Sequence, residues 1–133
     1  MSHFLDEKDI ENICYKIAKA HLEYNEPIPS FESRYEGALE TALATPRKEI
    51  GGKFMHNTLA EQAAVLFYNM VKLHPFINGN KRIAVTTLMT FLYLNGYWIE
   101  IYWKELYDVA IITASSETEN KDGMVEFLAG LIQ

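Results

Sequence analysis

A histidine, two asparagines, a glycine and two adjacent cations fall within nine residues of this 133-residue chain: His74-Pro75-Phe76-Ile77-Asn78-Gly79-Asn80-Lys81-Arg82. These residue types suit transfer of a phosphate-bearing group. Such chemistry needs a base for the nucleophile, cations against the phosphate charge and a rigid anion cradle. His74 is the natural base. Arg82 can grip a phosphate through two parallel hydrogen bonds, and Lys81 supplies a point charge. The backbone N–H groups of Gly79 and Asn80, with the Asn80 side-chain amide, can meet phosphate oxygens where a helix begins. Phe76 is expected to bury its ring and fix the loop. The residues by themselves leave a blander reading open, a solvated loop whose charges point into water.

Two helices must position that loop. Thr58-Leu59-Ala60-Glu61 has the threonine and glutamate of a capping box, and Leu59, Ala63, Leu66, Phe67, Met70 and Val71 follow on one face. Pro75 disfavours helical geometry at His74, so this helix should end at or near the histidine. Asn78-Gly79 turns the chain cheaply, and a second helix then begins near Asn80. Lys81 and Arg82 oppose the macrodipole in its first turn, where an anion is favoured by about 0.3–1 kcal/mol. A phosphate bound beside them would turn that conflict into attraction. From Ile83 to Leu92 the sequence is apolar nearly all round, as a central buried helix requires, and Asn95-Gly96 stops it.

The remaining elements read as support. Asp6 can cap a first helix with Ile10, Ile13, Cys14, Ile17 and Ala20 or His21 inward, His21 having a packing or surface role. The prolines of Tyr24-Asn25-Glu26-Pro27-Ile28-Pro29 break that helix. Ser33-Arg34-Tyr35-Glu36 resembles another capping box, opening a helix that turns Tyr35, Ala38, Leu39, Ala42 and Leu43 to one face and ends before Pro46. Short β-capable pieces flank Gly51-Gly52, so residues 47–56 suit a small hairpin or irregular flap; taken alone, a connecting loop serves as well. Tyr97 to Ile101 reads as an extended link. A helix over 104–114 follows, with Leu106, Val109, Ala110 and Ile112 or Thr113 inward. Ser115 to Asp122 is loop-like, and Met124, Phe127, Leu128 and Leu131 form a last stripe. The expected architecture is a single all-α domain over 1–133, a helical bundle with a small β-like flap.

Composition narrows the class. Hydrophobic content of 49 % and charged content of 23 % are ordinary for a globular domain. The net charge of −6 argues against a nucleic-acid surface. One cysteine, Cys14, cannot form an internal disulfide, which fits a reducing cytoplasm. The residues from Met1 to Glu7 lack the features of a signal peptide, and the longest apolar run is too short to span a bilayer.

The segment HPFINGNKR resembles the signature of the Fic/Doc superfamily, His-x-Phe-x-(Asp/Glu)-(Gly/Ala)-Asn-(Gly/Lys)-x-Arg, in its shorter Doc-type form ending Lys-Arg. The run from Tyr35 to Pro46 is similar to the family's segment upstream of the motif, and Phe91 to Tyr97 to its downstream helix end. The resemblance covers nearly the whole chain. It implies a Doc-type toxin that moves the γ-phosphoryl group of ATP, with Mg²⁺, to a hydroxyl of a target protein. Elongation factor Tu is the known target of that type, and its modification would halt translation. His74 would be the base, Lys81 and Arg82 catalytic and phosphate-binding, Gly79 and Asn80 phosphate-binding, and residues 47–56 a docking edge beside the site. A separate antitoxin would silence the toxin. Lys81 stands where adenylylating relatives usually have glycine, so an adenylyltransferase is the lesser alternative. Family members usually carry Asp or Glu where this chain has Asn78, the weak candidate for the Mg²⁺ ligand, which leaves a degenerate nucleotide-binding module as a further alternative. Ser115 to Asn120 matches the family's inhibitory pattern on paper, in a polar stretch where chance produces such matches.

Overall fold

The chain folds as an all-α bundle with one two-stranded hairpin; the structure is a computed structural model and describes residues 2–21 and 28–132. In chain order the elements are α1 (7–21), α2 (Glu36–Ala44), β1 (Glu49–Ile50), β2 (Lys53–Phe54), α3 (Leu59–Lys72), α4 (Asn80–Leu94), α5 (Trp103–Ser115) and α6 (Lys121–Ile132). Of the break expected over Tyr24–Pro29, all but Ile28 and Pro29 lies outside the described residues, as does the side chain of His21.

α3 and α4 pack on each other and form the centre, with α6 and α5 against them. Thr58 Oγ1 accepts from the Glu61 N–H at 3.1 Å, while the Glu61 carboxylate accepts from the Asn57 N–H at 3.2 Å, so the reciprocal bond reaches one residue further back than expected. α3 is also more central than its pattern suggests. Ala60 and every residue from Gln62 to Val71 are buried, because neighbouring helices cover both its apolar and its weakly polar sides. The large buried side chains Phe67, Phe76 and Phe91 anchor this centre. Each contributes about 1.5–3 kcal/mol by leaving water.

Three local expectations are corrected. In α1, Asp6 and Asp9 close a reciprocal cap, and the Asp9 N–H bond holds the Asp6 carboxyl below its ordinary range. The helix then widens into a π-turn over Ile10–Tyr15. That turn advances the face, so Tyr15 and Ala18 join Ile10 and Cys14 inside while Ile17 and Ala20 face out. Thr86 of α4 shares its hydroxyl proton between the Cys14 carbonyl, 3.0 Å away, and that of Ile83, 2.9 Å away. In α2, Ser33 does not cap. It sits in a 3₁₀ turn and donates to the Ser30 carbonyl at 2.7 Å, so the helix starts at Glu36 and Tyr35 stays exposed. At the C-terminal end, Ala129 and Ile132 are buried with Met124 and Leu128, whereas Phe127 and Leu131 lie at the surface. In α5, of the two residues left open by the sequence, Thr113 faces inward and Ile112 outward.

The hairpin is present, with Glu49 opposite Phe54 and Ile50 opposite Lys53. Gly51 and Gly52, at φ 59° and 80°, form the mirror-image turn that matches strand twist. Lys72 donates to the carbonyls of Ala114 and Ser116, placing a cation at the negative end of α5. Among the described residues no helix is long and apolar enough to cross a membrane.

Burial pushes the Cys14 thiol up to about 11 from its ordinary value of 9.0. Between those values the unfolded chain binds fewer protons than the folded one. Stability present below pH 9 should therefore fall as pH rises, by about 1.4 kcal/mol per unit from this group. Urea denaturation at pH 8.5 and 10.5 should show a smaller loss in Cys14→Ala than in the parent. An equal loss in both would mean that Cys14 does not contribute.

Candidate functional site

The segment between α3 and α4 is held by its own side chains. α3 ends at Lys72, and His74 follows with φ 49°, the only non-glycine residue at positive φ among the described residues. A residue before proline normally prefers extended backbone, so this left-handed turn costs on the order of 1–3 kcal/mol. Neighbouring contacts hold it in place. The Pro75 carbonyl accepts from the Tyr35 N–H at 2.8 Å, tying the start of α2 to the loop. Phe76 is 1 % exposed and meets the rings of Tyr15 and Phe31 at 6.2 and 5.9 Å between centroids.

Asn80 closes the turn. Its Oδ1 accepts from the Phe76 N–H at 2.9 Å and its Nδ2 donates to the Phe76 carbonyl at 2.8 Å, both bonds buried. The amide expected to meet phosphate oxygens thus spans the loop. Asn78 behaves similarly. Its Oδ1, the candidate metal ligand, accepts from the Gly79 N–H at 2.8 Å and so occupies one of the two backbone donors expected of the cradle. Gly79 itself has φ 77°, and a Cβ there would lie 3.1 Å from Ile28 Cγ1 and 3.4 Å from Arg82 Nη2. Glycine is required on both counts.

An open cleft of about 240 Å³ gathers His74, Asn78, Lys81 and Arg82 at the first turn of α4. His74 is exposed, Lys81 half-buried and Arg82 only 4 % exposed. α4 carries no acidic residue in its first turn and no side-chain cap from Gly79, and Lys81 and Arg82 both line the cleft at that helix start. Such an arrangement has the chemistry to attract an anion, with a histidine beside it that could accept a proton. Val71 and Tyr107 also line it. The sequence reading missed both. Val71 stands one helical turn before His74 and was legible in principle, whereas Tyr107 arrives from α5 and no sequence signal marks it.

His74, a bracing Phe76, an αL glycine, Asn80 and a Lys-Arg pair at one helix start match the pattern of a known family, whose Fic/DOC profile aligns with residues 4–92, 89 of the 133 residues. The chain belongs to the Fic/DOC family. Over 60 residues it is 35 % identical to a protein named Toxin Doc from Mycolicibacterium smegmatis (strain ATCC 700084 / mc(2)155). That match covers 45 % of this chain and 46 % of the toxin, so the chain spans about half the length of the curated relative. No solved structure matches.

Two family expectations look different in this Fic/DOC chain. Among the described residues no group of three His, Cys, Asp or Glu could hold a metal ion. Asn78 keeps one lone pair on its Oδ1, so a Mg²⁺ here would depend chiefly on substrate phosphates, as Mg²⁺ commonly does. The hairpin does not line the cleft. Its Phe54 meets Phe4, which stacks on Phe91, and Phe91 lies eleven residues beyond Asn80, about 16 Å along α4.

Removing the Asn80 clip should loosen the loop. Asn80→Ala should lower unfolding free energy by about 2–3 kcal/mol, two hydrogen bonds at about 1 kcal/mol each plus the unsatisfied Phe76 groups. Urea denaturation with an unchanged slope would show it, and a loss under 0.5 kcal/mol would mean the clip is dispensable.

Proposed function

We propose that this chain is a Doc-type toxin that transfers the γ-phosphoryl group of ATP to a hydroxyl of a target protein. The observation that carries the reading is the cleft itself, where His74, Lys81, Arg82 and an uncapped helix start converge. Lys81 favours phosphoryl over adenylyl transfer, since adenylylating relatives usually have glycine at its position. The name of the mycobacterial relative supports the toxin role and a cognate antitoxin as partner.

In the proposed reaction the hydroxyl oxygen of the acceptor forms a bond to the γ-phosphorus. The bond from that phosphorus to the β,γ-bridging oxygen breaks, and ADP leaves. His74 takes the hydroxyl proton. Arg82, Lys81 and the backbone N–H of Asn80 hold the phosphate oxygens, and their fixed positions mean that little reorganises as charge moves toward the leaving group. Mg²⁺ bound with ATP would supply further charge neutralisation, with Asn78 the residue able to reach it through a neutral oxygen. The acceptor we favour is elongation factor Tu, and the working compartment is the cytoplasm. The net charge of −6 speaks against a nucleic-acid partner.

The test is transfer of label from γ-labelled and, separately, α-labelled ATP in the presence of Mg²⁺, with elongation factor Tu and a whole-cell lysate as acceptors. Label from the γ position alone is expected, falling about 10²–10⁴-fold in His74→Ala as the general base is lost. Label from the α position would make the protein an adenylyltransferase. Absence of both would leave a nucleotide-binding module, the more so if Asn78→Asp restored transfer.

A further inference from the structure

Two of the anion donors expected of the loop are engaged within it. The Asn80 amide is bonded to the Phe76 backbone at both its oxygen and its nitrogen, and the Gly79 N–H donates to Asn78 Oδ1. A phosphoryl group presents several strong acceptor oxygens, so a cleft that holds one gains from donors supplied elsewhere. A further cation would repel Lys81 and Arg82 whenever the cleft is empty. A neutral hydroxyl adds a donor without that cost.

Tyr107 meets this description. It reaches the cleft from α5, outside the loop, and is the one hydroxyl-bearing residue lining the cleft among the described residues. It stands beside the inward stripe of Leu106, Ala110 and Thr113, is half-buried and packs against the core. Its hydroxyl makes no hydrogen bond with any described residue and is open to solvent. The hydroxyls of Tyr15 and Tyr97, by contrast, each donate to a backbone carbonyl, and that of Tyr68 is buried.

The helix that carries Tyr107 is braced against the loop. α5 packs on both α3 and α4, and Lys72, at the end of α3, donates to the carbonyls of Ala114 and Ser116. With the ring held by packing, only the hydroxyl proton has to turn toward an acceptor, so little freedom is lost on binding.

We infer that the Tyr107 hydroxyl is a phosphate-binding donor of this cleft, hydrogen-bonding an oxygen of the nucleoside triphosphate beside Lys81 and Arg82. This rests on the reading of the cleft as a phosphate site, and it adds a residue outside the His74–Arg82 motif. A phenol also accepts hydrogen bonds, but here phosphate oxygens offer only acceptors, so the hydroxyl must donate.

The experiment is calorimetric titration of the full chain, Tyr107→Phe and Tyr93→Phe with ATP and, separately, with inorganic tripolyphosphate at one Mg²⁺ concentration. Tyr107→Phe removes the hydroxyl and keeps the packed ring, so its urea midpoint should match that of the parent. It should bind both ligands about ten-fold more weakly, the size expected of one hydrogen bond to a charged oxygen. Tyr93→Phe removes an exposed hydroxyl that does not line the cleft, and both affinities should stay within about two-fold of the parent. Unchanged affinity of Tyr107→Phe for both ligands would overturn the inference, even if Tyr107→Ala bound weakly, because the ring and not the hydroxyl would then matter. Weaker binding of ATP alone would also overturn it, since the hydroxyl would then address the nucleoside. In the γ-label assay Tyr107→Phe should raise the KM for ATP about ten-fold and leave the acceptor KM within about two-fold. Titration needs no turnover, so a parent chain that binds both ligands and transfers no label would refute the transferase reading alone. A parent chain that binds neither ligand would refute the phosphate reading of the cleft, and this inference with it.

Discussion

The two buried hydrogen bonds between the Asn80 amide and the Phe76 backbone are the constraint on which the site depends. They close a five-residue turn around Asn78-Gly79 and hold the first residue of α4 against the residue whose ring is buried among Tyr15 and Phe31. An unmade polar bond at that depth would cost more than a made one contributes, which disfavours other loop conformations. With the clip in place, the left-handed backbone at His74 has neighbours that fix both of its ends. The Pro75 carbonyl is bonded to Tyr35, and Leu73 caps α3 by donating to the Asn69 carbonyl.

Electrostatics follow from that geometry. Gly79 can take φ 77° and come close to the Arg82 guanidinium because it has no side chain. Arg82 is buried beneath the loop while Lys81 stays half-exposed, so one cation is rigid and its neighbour can adjust. Asn78 turns its oxygen to the Gly79 N–H and so shares the work of bracing the loop. An aspartate could accept the same bond with its charge intact. The asparagine retains the shape of the turn and gives up the charge that a divalent cation would seek.

Much of this was legible in the residues. The capping threonine of α3, the Pro75 stop, the start of α4 at Asn80 and the diglycine turn of the hairpin each rest on local chemistry, and local chemistry decides them. The failures have a common cause in tertiary contacts. No periodicity announces the π-turn of α1, where Thr86 offers a hydroxyl to the Cys14 carbonyl from another helix. Ser33 had the right type for a cap, but Tyr35 was drawn to Pro75 instead. The candidate site shows the same division. Its residue types could be read from nine consecutive positions, whereas the engagement of both asparagine side chains within the loop and the arrival of Tyr107 depend on distances that no spacing encodes.

The clipped loop also bears on how quickly a ligand can be captured. Ordering backbone costs about 1–2 kcal/mol per residue, and here the stretch from His74 to Arg82 meets that cost when the chain folds. An anion entering the cleft would find donors and cations already in place, so its association would need no conformational step. Its residence time would then depend on the strength of the contacts in the cleft, and occupancy would be a matter of dissociation more than of arrival.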